Sequence, residues 1–454
     1  MVLCKHDLPC RAEGVRALDL SSARIFGIPF TNCSAPDLSR VKPLQPHSVP
    51  FTLLLGSLVT LASFATDMAL PVLAATALSL GVTPARAALT MSVFMAGFAA
   101  GPLVFGPLSD RFGRRPILLT GCAAFALFGA LGASAQSIQT LLLCRTLMGM
   151  GAGMVQVLVL ATVRDLFTGR EARAKQSYVN MASGVAPIIA PTIGVWVAAA
   201  GGWRGIYALL AVGALVLLIA AWLGLGESAP LTGGALTLRG TLHNYARVIR
   251  NPISFGNALV TALVFGSLFA FVSGSSLVLI GVLGASQRVY GLLFALTSFG
   301  LVTGSFSSAR LGRRGVSHAR LLGTGLTIVT VIAVLLLLLS LSGLLRVGTF
   351  IPLVVIGNVG TGLLRPNAAQ GALEPMPDIV GVASALLSGM QMVIGALSSA
   401  IAASLFDGRT ALAMTGTMTI CSLGAALVYA SVVRPAEKRS HGHGAFSTSP
   451  SVAA

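Results

Sequence analysis

The feature that most limits this chain is a series of apolar segments of about 20 residues, repeated from Phe51 to Val433 with only short polar breaks between them. At 1.5 Å per residue, each is long enough to cross a hydrocarbon layer of roughly 30 Å as a helix. Their continuity argues against barrel strands, which alternate apolar and polar residues. The pattern predicts helices near 51–74, 85–108, 115–134, 138–162, 173–199 and 204–225, then 254–281, 289–309, 320–340, 347–366, 380–405 and 410–433. Only 9% of the residues are charged and 55% are hydrophobic, against about a quarter charged in a water-soluble domain. The expected fold is an all-α membrane protein of twelve transmembrane helices.

The expected domains are a six-helix bundle over 50–226, a cytoplasmic linker over 227–252 and a second six-helix bundle over 253–433, ending in a cytoplasmic tail over 434–454. Residues 1–49 mix four acids, six Lys/Arg and several prolines with no sustained period, and are read as a disordered cytoplasmic tail. They lack the apolar core and small-residue cleavage site of a signal peptide. A mis-assigned start upstream of Phe51 would produce the same picture.

The net charge of +17 does not imply a nucleic-acid partner, because the charges sit in short clusters between apolar runs. Their distribution fixes an orientation instead. With both termini cytoplasmic, the tails and even-numbered loops hold 24 of the 30 Lys/Arg. The odd loops hold Arg86, Arg204, Arg288, Arg346 and Arg409, and Arg145 stays inside a helix. A multi-pass protein with both termini cytoplasmic follows; the expected setting is a bacterial inner membrane and the expected state a monomer. Cys4, Cys10, Cys33, Cys122, Cys144 and Cys421 form no CxxC pair, and the six histidines are scattered over tails and loops. No phosphate loop, serine triad or metal-binding helix motif occurs, so no metal, cofactor or enzymatic activity is expected.

An internal repeat divides the chain. Leu108-Ser109-Asp110-Arg111-Phe112-Gly113-Arg114-Arg115 and Ser307-Ser308-Ala309-Arg310-Leu311-Gly312-Arg313-Arg314 agree at five of eight positions, 199 residues apart. Both follow an even-numbered helix, so the halves run in the same sense. Parallel six-helix halves related by an axis along the membrane normal describe one large class of secondary transporter.

With these residues in place, the chain resembles the major facilitator superfamily. Gly106-Pro107-Leu108-Ser109-Asp110-Arg111-Phe112-Gly113-Arg114-Arg115 is similar to its signature between helices two and three. Resemblance to the branch of bicyclomycin and chloramphenicol exporters rests on Thr66-Asp67-Met68-Ala69-Leu70-Pro71, Val163-Arg164-Asp165-Leu166-Phe167 and Gly202-Trp203-Arg204. Pro366-Asn367, Glu374-Pro375 and Gly381-Val382-Ala383-Ser384 extend it, so that it covers roughly 51–433. Two departures stand out: Ala69 occupies a position that is usually aromatic in that branch, and Ala309 stands where the first loop copy has Asp110.

Asp67 alone among the 13 acids lies well inside an apolar helix. An acid at a helix centre costs about 2.5–3.5 kcal/mol on insertion scales, and desolvation favours its protonated form. It is either a proton-coupling carboxylate or an outer-third Asp that breaks the helix with Pro71 and pairs locally. Arg145, an always-charged guanidinium in an apolar helix, must face a polar cavity or a partner. Gln156 shares its face, with Gly149 and Gly153 near the same stripe. The resemblance assigns an arginine here to proton transfer, whereas a bond to backbone carbonyls of the first helix is the structural alternative.

Gly184, Pro187, Pro191 and Gly194 in the fifth helix permit tight packing and a kink. The resemblance is to an antiporter signature, with Ala190 and Val195 in place of two glycines. Gly106, Asp110, Arg111, Gly113, Arg114 and Arg115 are read as a conformational latch, with Asp110 able to cap the next helix. Met68, Gln156, Asn257, Phe265, Phe269, Asn358 and Gln391 are candidates for the substrate cavity, with Tyr290 beside them, though each alone serves equally well in packing.

The resulting expectation is a secondary transporter exporting a small amphipathic drug or antibiotic in exchange for protons by alternating access. Its partners would be that substrate, protons and the lipid bilayer. The alternatives are an importer or exporter of a cellular metabolite on the same fold, and, more remotely, a membrane-embedded enzyme or receptor.

Overall fold

In a computed structural model, residues 44–228, 238–437 and 439 are described, and the side chain of Asp110 lies outside that set. Most of the 1–49 tail and the end of the 434–454 tail fall outside the described residues. Within them the chain is helical throughout. Helix α1 (Val49–Asp67) is capped by Ser48, whose Oγ accepts from the Phe51 amide, and opens with Pro50 in its first turn. It breaks at Asp67 and passes through a 3-10 turn (Leu70–Val72) into α2 (Leu73–Ser79). Helices α3 (Pro84–Phe112), α4 (Arg114–Ala133) and α5 (Ile138–Leu166) follow. Helix α6 spans Gly169–Gly224, 56 residues that at 1.5 Å each would far exceed one bilayer.

Gly202 resolves that length. Its φ of +64° and ψ of −166° leave helical geometry, a backbone state that suits glycine. The chain turns back there, because a Cβ on Gly205 would lie 3.6 Å from the Val197 carbonyl. Helix α6 is therefore two spans, as the sequence pattern predicts. Among the described residues eleven helices are long and apolar enough to cross a membrane, and the turn in α6 makes twelve crossings of them.

The second half consists of α8 (Pro252–Ser276) continuing into a π turn (Leu277–Val282), α9 (Gln287–Arg313), α10 (His318–Leu341), α11 (Val347–Leu373), α12 (Val380–Ser404) and α13 (Leu412–Val428). Before it comes α7 (Leu238–Arg250), a helix where the sequence reads only as a polar linker. Val248 of α7 is buried against Met376 and Ala383, and Arg247 pairs with Asp378 at 2.8 Å. That guanidinium holds the Asp378 carboxyl below its ordinary value.

The two halves are built alike. In the first, α3 and α5 touch backbone to backbone: a Cβ on Gly149 would lie 2.2 Å from the Phe94 carbonyl. In the second, α9 and α11 do the same, with a Cβ on Gly304 reaching 2.2 Å from the Val359 carbonyl. Such contact is how small residues pack spans that gain nothing from leaving lipid.

The cores differ between the two ends of the molecule. At the end bearing the loops at 80–83, 283–286 and 405–411, one apolar cluster joins Ala69, Leu73 and Met91 to Phe271, Tyr290, Ala402 and Met414 across both halves. Ser92 and Ser399 also meet there, 2.9 Å apart and buried. At the opposite, arginine-rich end the clusters are separate, one around Leu55, Leu118 and Val159, another around Val264, Leu326 and Leu364. The apolar cores of the halves thus merge at one end and stay separate at the other.

Candidate functional site

The break at Asp67 follows from local chemistry. Pro71 has no amide to donate, and the irregular turn after Asp67 leaves carbonyls of the last α1 turn without helical partners. In lipid such groups must be satisfied from within the protein. Arg145 of α5 meets that need: Nη1 donates to the Ala65 carbonyl at 2.9 Å and Nε to the Thr90 carbonyl of α3 at 3.3 Å. Its guanidinium also lies 4.5 Å from the Phe94 ring centre and is 0% exposed. Gly194 of α6 completes the surround, since a Cβ there would sit 2.4 Å from the Met68 carbonyl. Helices α5 and α6 thus reach the carbonyls on either side of Asp67, while α3 shares the α5 guanidinium.

Asp67 itself is 6% exposed, so its side chain faces neither bulk solvent nor lipid. Arg145 does not ion-pair with it: the guanidinium binds the backbone two residues earlier. Ala69 and Leu70, just beyond Asp67, share an apolar cluster with Tyr290 of α9, whose hydroxyl meets that of Ser275 at 2.8 Å. The carboxyl therefore lies at the seam between the halves, on the side where their cores merge.

The other expected site residues divide into two groups. Phe265 and Phe269 of α8 lie 4.5 Å apart, and Phe269 packs with Met392 and Ala396 against the first half's core. Gln391 joins them from α12, and Met68 is buried beside Asp67. Gln156 is half-buried on α5 and makes no hydrogen bond among the described residues. Asn257 and Asn358 instead bond to backbone carbonyls of α8 and α9. Asn257 is fully buried between α8 and Gly371 of α11 and donates to the Ile253 carbonyl at 3.0 Å. Asn358 donates to the Thr297 carbonyl of α9 at 2.9 Å. In the fifth span, Gly194 and Pro191 are buried, Pro187 is half-buried, and Gly184 is exposed with nothing near it.

One residue escaped the sequence reading. Arg365 lies in the last turn of the expected 347–366 helix and well inside α11, where Nη2 reaches Gln391 Oε1 at 3.4 Å and the guanidinium sits 5.3 Å from the Phe265 ring centre. Its position at the end of an apolar run hid it.

At the arginine-rich end, Gly113 takes a φ of +96° between α3 and α4. The cap of α4 comes from Glu227, after α6, which accepts from the Arg114 amide at 2.8 Å and the Arg115 amide at 3.2 Å. An anion at a helix start is favoured by the exposed amides and the dipole. Arg114 bonds Ser109 at 2.6 Å and Asp165, at the end of α5, at 3.1 Å. Arg115 donates to the Trp222 carbonyl at 2.6 Å, and Arg111 lies exposed over Phe112. The loop thus fastens the ends of α3, α4, α5 and α6. Because the Asp110 side chain lies outside the described residues, its expected capping has no structural account here.

Twelve crossings in two like-built halves, joined at one end with charged groups buried at their seam, are the architecture of a membrane carrier. The sequence pattern of the Major Facilitator Superfamily matches residues 55–399, and the chain belongs to that family. It is a secondary transporter rather than an enzyme. It is 28% identical over 389 residues to the bicyclomycin resistance protein homolog of Haemophilus influenzae, covering 85% of this chain and 96% of that protein. The Multidrug resistance protein D of Escherichia coli is 27% identical, with 80% and 90% covered. The chloramphenicol resistance protein of Pseudomonas aeruginosa is 30% identical over 344 residues, with 74% and 79% covered. Among solved structures, a bacterial homolog of the lysosomal transporter Spinster, inward-facing and occupied, superposes with a TM-score of 0.68 at 15% identity, covering 87% and 97%. A D-xylose–proton symporter does so with a TM-score of 0.65 at 16% identity, covering 85% and 98%. At these identities the likeness is one of fold.

Proposed function

We propose that this carrier exports a small amphipathic compound, of the kind represented by chloramphenicol or bicyclomycin, in exchange for protons. The observation that carries the reading is Asp67, a carboxyl shielded from water and lipid at a helix break on the seam between the halves. A group so placed changes charge only when the surrounding packing changes, which couples protonation to the opening and closing of the seam. Relatives with resistance names support the choice of substrate class.

The arginine-rich end is cytoplasmic by the positive-inside rule, with both termini on that side of a bacterial inner membrane. The unshared cores there provide the cytoplasmic entrance, and the shared cluster with Ser92–Ser399 forms the outer seal. Substrate enters between the halves, which then rock so that the outer seal parts. A proton reaching Asp67 from outside favours release, the protonated carrier returns, and the proton leaves to the cytoplasm. The proton gradient supplies direction. Arg145 holds the backbone that presents Asp67, and the Gly113–Glu227 region governs closure of the cytoplasmic end. One chain carries both walls of the pathway, so a monomer suffices.

Purified protein in liposomes with an imposed pH gradient tests this directly. Chloramphenicol or bicyclomycin flux should follow the gradient in the wild type and disappear in Asp67→Asn, which still inserts. Gradient-driven flux at wild-type rate in that variant would remove Asp67 from its role. Uptake of substrate together with protons, rather than against them, would favour the importer.

A further inference from the structure

We infer that Arg365 is a specificity-determining residue, which favours aromatic substrates bearing an anionic group over cationic ones while still admitting uncharged compounds. This rests on taking the interface between the halves as the substrate route. Arg365 lies eight residues before the end of α11 at Leu373, about 12 Å along the helix from its arginine-rich end. A guanidinium is charged at every accessible pH, so at that depth it needs a partner or a polar cavity.

Its partners are few. Gln391 Oε1 accepts from it over 3.4 Å, and the Phe265 ring lies 5.3 Å from its centre. Among the described residues no carboxylate forms an ion pair with it, whereas the membrane-buried Arg145 is held by two carbonyls. Arg365 is half-buried, and Gln391 and Phe265 are 9% and 6% exposed. The charge is therefore lodged in the protein yet still partly exposed on one side.

Repeat symmetry assigns that side to the interface between the halves. In the first half, Gly151 of α5 packs on Gly121, its Cβ position lying 2.7 Å from the Gly121 carbonyl. In the second, Gly360 of α11 packs on Gly325, with 2.9 Å for the same contact. Five residues after these glycines stand Gln156 and Arg365 respectively, so repeat symmetry places them on corresponding faces of corresponding helices. Phe269, beside Phe265, packs against the first half's core, which carries this wall to the seam.

A planar fork with spare donors beside two rings 4.5 Å apart suits a ligand with an aromatic body and a carboxylate or similar anionic end. A permanent cation would be repelled. The two walls then differ in what they select: Asp67 handles the proton, and Arg365 reads the substrate.

The test uses two probes with one fluorophore, dansylglycine and its trimethylammonium counterpart, titrated against purified full-length protein. Wild type should prefer the carboxylate. Arg365→Gln should cut the ratio of the two affinities by roughly tenfold or more, the worth of a charge-assisted bond. Gln391→Glu, which keeps the guanidinium on Phe265 but gives it an internal carboxylate, should lower the ratio similarly, with Arg365→Lys between. An unchanged ratio in folded Arg365→Gln and Gln391→Glu, or a wild-type preference for the ammonium probe, would overturn the inference. Failure of pH-driven flux with the affinity ratio still dropping would sink the export reading while leaving this site standing.

Discussion

The two halves use the same packing scheme and different charges. Equivalent glycines, Gly101 with Gly304 and Gly153 with Gly362, bring α3 onto α5 and α9 onto α11. Ser109 and Ser308, equivalent in the repeated loops, are then held in unlike ways. Ser109 accepts from the Arg114 guanidinium, which also pairs with Asp165. Ser308 accepts from the neutral amide of Asn367 at 2.8 Å, whose carbonyl oxygen lies 2.8 Å from His318. The first half also has the buried acid, its break and the arginine that braces it. Duplication preserved the helix contacts, where a few tenths of an ångström matter, and left the polar groups free to diverge. One half became the charged, clamped wall and the other the more neutral one.

The comparison can be broken where the halves meet. Ser92→Cys with Ser399→Cys should form a disulfide on oxidation, because the parent hydroxyls are 2.9 Å apart, and stop transport until reduced. Continued flux in the cross-linked protein would mean that the outer seal need not part. Arg145→Ala strips the α1 break of its brace, and the lost charge-assisted bonds predict about 3 kcal/mol or more of destabilisation in thermal melts. A stable Arg145→Ala would show that the first half does not depend on that brace.

Smaller effects separate the roles of similar residues. Gly194→Ala drives a methyl into the Met68 carbonyl and should cost about 1–3 kcal/mol, with loss of activity. Gly184→Ala meets nothing and should be neutral or slightly stabilising, by up to about 1 kcal/mol. Equal effects would reduce the fifth-span signature to uniform packing. Glu227→Gln weakens the α4 cap and should cost about 1 kcal/mol. Asp378→Asn should leave the melting curve unchanged at neutral pH, since exposed pairs contribute little. Because Arg247 lowers the Asp378 carboxyl, that contact is present above the ordinary carboxylate range and is lost only as pH falls through the lowered value.

The fold was legible in the sequence because lipid imposes one rule on every span: a continuous apolar run of fixed length. Twelve runs, the turn at Gly202 and the loop repeat follow from that rule and can be read without contacts. The site was legible where it violated the rule, as Asp67 and Arg145 do by carrying charge into apolar helices. Arg365 was missed because a charge in the last turn of the 347–366 run reads as lying at the membrane surface until the helix is seen to continue to Leu373. Glu227 was missed because its partners lie more than 110 residues away. Asn257 and Asn358 show the converse, since polarity marks a buried group without saying whether it faces a cavity or a neighbouring helix. Helix α7 was missed because an amphipathic helix on the surface has no long apolar run to announce it.

The fastening of Glu227 to α4 and of α7 to Asp378 has a mechanical corollary. Both anchors sit at the arginine-rich end, one on each half, and the chain between Ser228 and Leu238 has only nine intervening residues. Fully drawn out, ten peptide steps reach roughly 35 Å. The covalent leash therefore caps how widely that mouth can gape, and shortening it residue by residue would act as a graded stop on the stroke.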